Sequence, residues 1–386
     1  MILLKIVNIE AIPLSYPLSK KEQYGSARGL VQARQSTLIK LTCASGTVGF
    51  GEAFGSPKTI VTIVEDIRNY FLERNVSEVP NLSHRLFNMF YHTSSKGYLV
   101  CAISGIEIAA WDAFGKILGV PVYQLLGGLA RKKFMLYGST GYITAEQPLQ
   151  TLIKQAHEVN DLGLGAVKIK IGTDPETDLE RVKTVRNICG DIKLMVDING
   201  NYTADVAIAA LAKLEPYDLY WVEEPVPPYD FDGFRKIKRT YPSLCLAAGE
   251  AEYTRYGFKD LMQAHVDLLQ PDLIKCGGIY EAKAIAMMAQ AYNIRISPHI
   301  WGGIVGRAAA IQLMASIPFY PHSLAEPEPM FFEYDLGSNG LRDDIGTISC
   351  TVEDGWLEVN EAHGLGVELD LEKVNHYRMD RQVNVK

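Results

Sequence analysis

Two lysines stand one residue apart in GAVKIKIG, residues 165–172. A short β-branched run of this kind reads as a buried strand, and alternation along a strand puts Lys168 and Lys170 on one face. Lysine is seldom buried without a partner, so counter-charge must come from elsewhere in the chain. Later apolar runs supply it. They end in Asp197 and Asn199 (KLMVDIN), Glu223 and Glu224 (LYWVEEP), Glu250 (CLAAGE), Asp272 (VDLLQPDL), His299 (RISPHI) and Glu326 (HSLAEPE). Asp197, Glu223 and Glu250 fall 26 and 27 residues apart on three consecutive runs. Converging carboxylates repel one another unless a cation neutralises them. Hard oxygen donors without Cys or His point to Mg²⁺ or Mn²⁺. A strand-end carboxylate can instead cap the next helix, which accounts for one such residue but poorly for three in register. Alternation lets only one glutamate of WVEEP face inward, and spacing does not decide which.

Two ammonium groups on one face, near a metal, lower each other's pKa, and a lysine tuned toward neutrality can accept a proton. Snorkelling to solvent and a Schiff-base role are the alternatives, and the metal carboxylates count against both. Asp272 and His299 end neighbouring runs. A carboxylate beside an imidazole fixes its tautomer and raises its basicity, so the pair can serve a second substrate face as base or acid. Glu326, if protonated, can donate a hydrogen bond to a developing oxyanion.

These residues need a frame that brings strand ends together. From about residue 134, short apolar runs start 21 to 32 residues apart, each followed by a helix-like stretch such as DLERVKTVRNIC. Eight such units suggest a closed parallel barrel, whose active site lies at the carboxyl ends of the strands. Residues 1–55 read as antiparallel β, with a hairpin turn at Ala44-Ser45-Gly46, and residues 58–125 as helical, with LVCAISGIEIAAWDAFGKILG ending at a glycine. The expected organisation is a capping domain over 1–125, a barrel over 126–330 and a C-terminal segment over 331–386 that returns to the cap.

Bulk properties narrow the function classes. The formal net charge of −7 argues against nucleic acid or anionic membrane as the main partner. No apolar run approaches the roughly 20 residues of a membrane span. Six scattered cysteines without a CxxC pair suit reduced thiols in a cytoplasmic protein.

K-x-K, D-x-N, E-E-P, G-E, Q-P-D, S-P-H and a last-strand Glu together resemble the enolase superfamily, in particular its mandelate racemase / muconate lactonizing branch. SGIEIAAWDAFGK and QLLGG fit that family's cap and its entry to the barrel. The resemblance implies an α/β fold, a modified TIM (β/α)7β barrel with an α+β capping domain. It implies Mg²⁺ on Asp197, Glu223 and Glu250. Lys170 is then a base tuned by Lys168, the His299–Asp272 dyad serves the other face, and Glu326 bonds to the substrate carboxylate. The shared step is removal of the proton α to a carboxylate, through an enediolate. EEPVPP, LLQPDLIKCGG and SPHIWGG are similar to acid-sugar dehydratases and galactarolactone cycloisomerase-type members. The implied partner is a small carboxylate, an acid sugar or its lactone. Asn199, Tyr24, Arg28 and Trp301 are the implied substrate contacts, with Lys20 and Lys21 in the same capping loop, and self-association is expected. A racemase or epimerase of another α-substituted acid, and a silent metal- or carboxylate-binding homologue, are the competing readings.

Overall fold

The expected hairpin forms in the computed structural model, which describes residues 4–319 and 326–380. Ala33–Cys43 pairs antiparallel with Val48–Ala53 around Gly46, whose φ of 83° favours glycine. Ile6–Pro17 pairs along the outer edge of Ala33–Cys43 and completes a three-stranded sheet. The helix Tyr98–Leu118 lies on this sheet and ends, as expected, at a left-handed Gly119. Glycines permit the close approach: a Cβ on Gly51 would sit 1.9 Å from the Gly105 carbonyl oxygen. At 21 residues this helix is long and apolar enough to cross a membrane by composition alone, but it is largely buried as the core of the capping domain.

Among the described residues the second domain carries eight parallel strands: Lys133–Thr140, Ala166–Lys170, Lys193–Asp197, Leu219–Glu223, Leu246–Ala248, Leu268–Leu269, Arg295–Ile296 and Phe331–Asp335. Numbered 1 to 8, they lie in the order 8-1-2-3-4-5-6-7. Strands 7 and 8 meet through a side chain-to-backbone bond, with Ser297 Oγ, just past strand 7, donating to the Phe331 carbonyl at 2.8 Å. Seven helices alternate with the strands, from Pro148–Asp161 to Ile304–Ala315, which gives the expected TIM-barrel-like domain under an N-terminal cap. The alternation is locally encoded. Asp174, for example, accepts from the Glu176 and Thr177 amides to start Pro175–Cys189.

Inside the barrel, Tyr137, Ala166, Met195, Trp221, Ala247, Leu268 and Phe331 pack into an apolar plug. Two buried carboxylates of the cap then dock it on the barrel. Glu52 accepts from the Gly303 and Gly306 amides, and Glu107 from those of Ile279 and Tyr280, at the starts of two barrel helices. Burial pushes the Glu107 carboxyl up to about 7 even though these amides and Trp111 stabilise its charge.

The C-terminal boundary differs from the expected one. Phe331–Asp335 is the eighth barrel strand, so the barrel extends past residue 330. Trp356–Val359 then pairs antiparallel with the beginning of strand 1. From residue 340 on, the chain also meets the cap: Gly340–Asp343 packs against Ile6–Pro17 and Ala33–Cys43, Leu365 N donates to Asp112, Ser15 N donates to the Tyr377 carbonyl and Met379 N to that of Pro13.

Candidate active site

Side chains two residues apart share a face of a strand, so the plug determines what stands above it. Ala166 is followed by Lys168 and Lys170, Met195 by Asp197, Trp221 by Glu223 and Phe331 by Glu333. This settles the WVEEP ambiguity: Glu223 faces the barrel axis and is fully buried. Glu224 leaves the strand at φ 40° and borders the cavity above.

The lysines are paired, as their burial requires. Lys168 Nζ donates to Glu223 at 2.7 Å, meets Glu333 at 3.0 Å and lies 5.4 Å from the Tyr137 ring centroid. Lys170 Nζ donates to Asp197 at 2.5 Å. The expected lowering of their pKa values is not what these contacts produce. Burial and, for Lys170, the neighbouring Lys168 do push downward, but the carboxylates outweigh them and both ammonium groups are held above the usual lysine range. Any cation that takes up the charge of Asp197 weakens that hold on Lys170.

Asp197, Glu223 and Glu250 offer carboxylate oxygens within 4.8 Å of one another. Asn199 bridges two of them, donating through Nδ2 to Asp197 at 3.1 Å and to Glu250 at 3.3 Å. Gln270 donates to the second oxygen of Glu223 at 2.6 Å. Burial, then the charge on Asp197, raises the Glu223 carboxyl, whereas Lys170 overcomes burial at Asp197 and holds it low. Glu250 Oε2 and Glu224 Oε1 are buried without a hydrogen-bond partner. Three hard oxygen donors, mutual repulsion and a buried Glu250 oxygen that accepts no hydrogen bond fit a divalent metal. Among the described residues this is the one such grouping.

His299 stands at the Glu250 end of the cluster. Its Nδ1 donates to Asp272 Oδ2 at 2.8 Å, and its Nε2 lies 3.3 Å from Glu250 Oε2. Burial disfavours the imidazolium, but Glu250 and Asp272 prevail and raise its pKa to about 9.

Glu326 does not join this group. The first four residues of HSLAEPE lie outside the described residues. Glu326 itself pairs with Arg131, which precedes strand 1, at the opposite end of the barrel. Its expected place belongs to Glu333, which accepts from the Ile300 amide at 2.7 Å as well as from Lys168. Lys168 and His299 keep the Glu333 carboxyl low against the effect of burial.

A cavity of about 370 Å³ opens over these groups. Lys170, Asn199, Glu224, Glu250, Asp272 and His299 form its floor and walls, and Arg28, Phe54, Tyr142, Lys275 and Trp301 border it. Of the expected substrate contacts, Arg28 and Trp301 border this cavity. Asn199 borders the cavity too, but its amide is committed to the carboxylates. Tyr24 stands behind the wall, where it donates to the Ser338 carbonyl at 2.9 Å and accepts from Arg34 at 2.5 Å. Lys20 and Lys21 are exposed and outside the cavity lining. Sequence reasoning missed Glu333, Gln270 and Lys275. The i+2 step from Phe331 in FFEYD was the available signal for the first.

Comparison with known proteins agrees with this architecture. Residues 14–127 match the mandelate racemase / muconate lactonizing enzyme N-terminal domain, and residues 151–374 the enolase C-terminal domain-like family. D-galactarolactone cycloisomerase of Agrobacterium fabrum is 31% identical over 381 residues, covering 97% of this chain and 99% of that protein. The crystal structure of 3,6-anhydro-D-galactonate cycloisomerase from Zobellia galactanivorans superposes with a TM-score of 0.86 at 32% identity, covering 97% and 99% of the two chains. A racemase from Streptomyces coelicolor A3(2) with bound magnesium superposes with a TM-score of 0.85 at 25% identity, covering 97% and 100%. With both domains matched and the barrel-end carboxylates, lysines and histidine in place, the chain belongs to the mandelate racemase / muconate lactonizing enzyme group of the enolase superfamily.

Proposed function

We propose that the chain removes the proton α to the carboxylate of a cyclic acid sugar and then expels the ring oxygen on the adjacent carbon. One observation carries this reading: two proton carriers flank a single carboxylate cluster, Lys170 at Asp197 and the His299–Asp272 dyad at Glu250. The proton α to a carboxylate is very weakly acidic, so charge stabilisation must supply most of the barrier reduction. Asp197, Glu223 and Glu250 would hold a Mg²⁺ or Mn²⁺ ion, which would supply positive charge to offset that of the enediolate.

The chain's own residues do the rest. The carrier facing the α-hydrogen, in its neutral form, takes the proton, and the C–H electron pair passes into the enediolate. Collapse of the enediolate forms a carbon–carbon double bond and breaks the β carbon–oxygen bond. The resulting enol takes a proton at carbon and becomes a 2-keto-3-deoxy acid. A lactone ring oxygen leaves as a carboxylate and needs no acid, whereas an ether oxygen takes the proton held on the opposite carrier. Trp301 and Phe54 offer apolar walls to the sugar, and Arg28 offers a charge to its far end.

Loss of a hydroxyl from an open-chain acid sugar is the second reading. It needs a general acid for hydroxide, a role the carrier opposite the base can fill as it does for an ether oxygen. The likeness to two cycloisomerases, over nearly the full length of each, favours the ring substrate. The free cysteines fit work in the cytoplasm, and exposed Met89, Tyr91 and Tyr256 fit self-association.

The test is a substrate panel of acid-sugar lactones, anhydro acid sugars and open-chain aldonates and aldarates, assayed with Mg²⁺. Consumption of a ring substrate with formation of a 2-keto-3-deoxy acid supports the proposal. Turnover of open-chain acids alone selects dehydration, and inversion at the α-carbon without elimination selects an epimerase.

A further inference from the structure

One buried carboxylate outside the catalytic group gathers a network of its own. Asp335 ends strand 8, and its side chain is 1% exposed. Its Oδ1 accepts from the Tyr142 hydroxyl at 2.5 Å and the Gly337 amide at 2.8 Å. Its Oδ2 accepts from Arg342 at 2.7 Å and Arg34 at 3.3 Å. A buried carboxylate with this many donors is held rigidly, because a partner that leaves gives up a charge-assisted hydrogen bond in a site that water does not replace.

The partners lead to the cavity. The Arg34 guanidinium lies 3.7 Å from the Trp301 ring centroid and also donates to the Trp301 carbonyl. Its other arm reaches the Tyr24 hydroxyl. Tyr24 begins the strand Tyr24–Ser26, which pairs with Gly29–Val31 on one side and Ile143–Thr144 on the other. Gly25, Ser26 and Arg28 of this hairpin border the cavity, as do Tyr142 and Trp301. The hairpin and both aromatic walls are thereby tied to a single carboxylate that does not itself border the cavity.

We propose that Asp335 is a positioning residue. Through Arg34 and Tyr142 it fixes Trp301 and the 24–31 hairpin over the cavity, and so sets substrate affinity rather than the proton-transfer rate. The affinity part of this inference rests on the acid-sugar reading above; the hairpin part does not.

Two variants and two readouts test it. Tyr142→Phe removes one hydrogen bond to Asp335 without altering charge or shape. Asp335→Asn removes the charge. With a turned-over substrate, Asp335→Asn should raise KM by about tenfold and Tyr142→Phe by about threefold, each leaving kcat within about twofold. Independently of any substrate, tryptic cleavage at the exposed Lys20, Lys21 and Arg28, well below the unfolding temperature, should accelerate by about tenfold in Asp335→Asn and less in Tyr142→Phe. A fall in kcat with KM unchanged overturns the proposal, and so does hairpin cleavage at the wild-type rate in both variants. If Asp335→Asn does not fold, Tyr142→Phe decides alone. If no acid sugar is turned over, the acid-sugar reading fails and the cleavage rates still decide the role of Asp335.

Discussion

Lys168 of strand 2 and Glu333 of strand 8 form a buried ion pair of 3.0 Å that passes over Tyr137 of strand 1. Glu223 holds the same ammonium group at 2.7 Å from the other side. One lysine thus serves two carboxylates, and removing it takes the ion-pair partner from both buried groups, leaving Lys170 beside Glu223 and His299 beside Glu333 as the remaining positive charges. Lys168→Met should therefore destabilise the protein by about 3–5 kcal/mol. Urea unfolding of the metal-free protein measures this directly, and a loss below about 1 kcal/mol would contradict the pairing.

Glu333 and Glu326 make the strand-8 assignment testable. Glu333→Gln should lower kcat/KM by at least about 100-fold, because it removes charge beside Lys168 and His299. Glu326→Gln acts at the far end of the barrel and should leave kcat and KM within about twofold of wild type. Equal effects of the two substitutions would mean that the site is built otherwise.

The three-carboxylate cluster should bind Mg²⁺ and gain stability from it. At a free concentration of 100 times Kd, binding to the native state alone stabilises by about 2.7 kcal/mol. Thermal unfolding with and without Mg²⁺ reads this gain, and Glu250→Gln should abolish most of it. An unfolding temperature insensitive to Mg²⁺ in wild type would count against the metal assignment.

Glu107 should make docking of the cap depend on pH. Its folded pKa of about 7 lies above its ordinary value of 4.5 because the carboxyl is buried. The folded state therefore holds this proton more tightly than the unfolded state. The resulting stabilisation is complete below pH 4.5 and is lost as pH rises through about 7, a change of about 3 kcal/mol. Glu107→Gln removes the titration. Its stability relative to wild type should rise over that pH window, and a constant difference would refute the assignment.

Much of this was legible in the sequence because strand alternation is local and strict. Lys168 and Lys170 had to share a face, and three carboxylates in register had to need a cation. The hairpin at Gly46 and the helix end at Gly119 followed from turn chemistry. Strand 8 was misread because HSLAEPE also shows an apolar run before an acid, and the longer interval to Phe331 broke the spacing of the other units. Tyr24 was misplaced because an aromatic in a capping loop can face the cavity or brace it from behind, and only Arg34 and Ser338 decide which. The lysine pKa direction depended on distances of 2.5 to 3.0 Å that spacing cannot supply.

The central claim is proton abstraction next to a carboxylate, and hydrogen exchange measures it most directly. In D₂O with Mg²⁺, the enzyme should introduce deuterium from solvent at the sites of proton removal and return in at least one cyclic acid sugar or its product, as read by NMR. Replacing the carrier that acts as base, by Lys170→Ala or His299→Asn, should slow this by at least about 1,000-fold while metal binding persists. A wild-type enzyme that binds Mg²⁺ and the acid sugars yet introduces no deuterium into any of them would contradict the account.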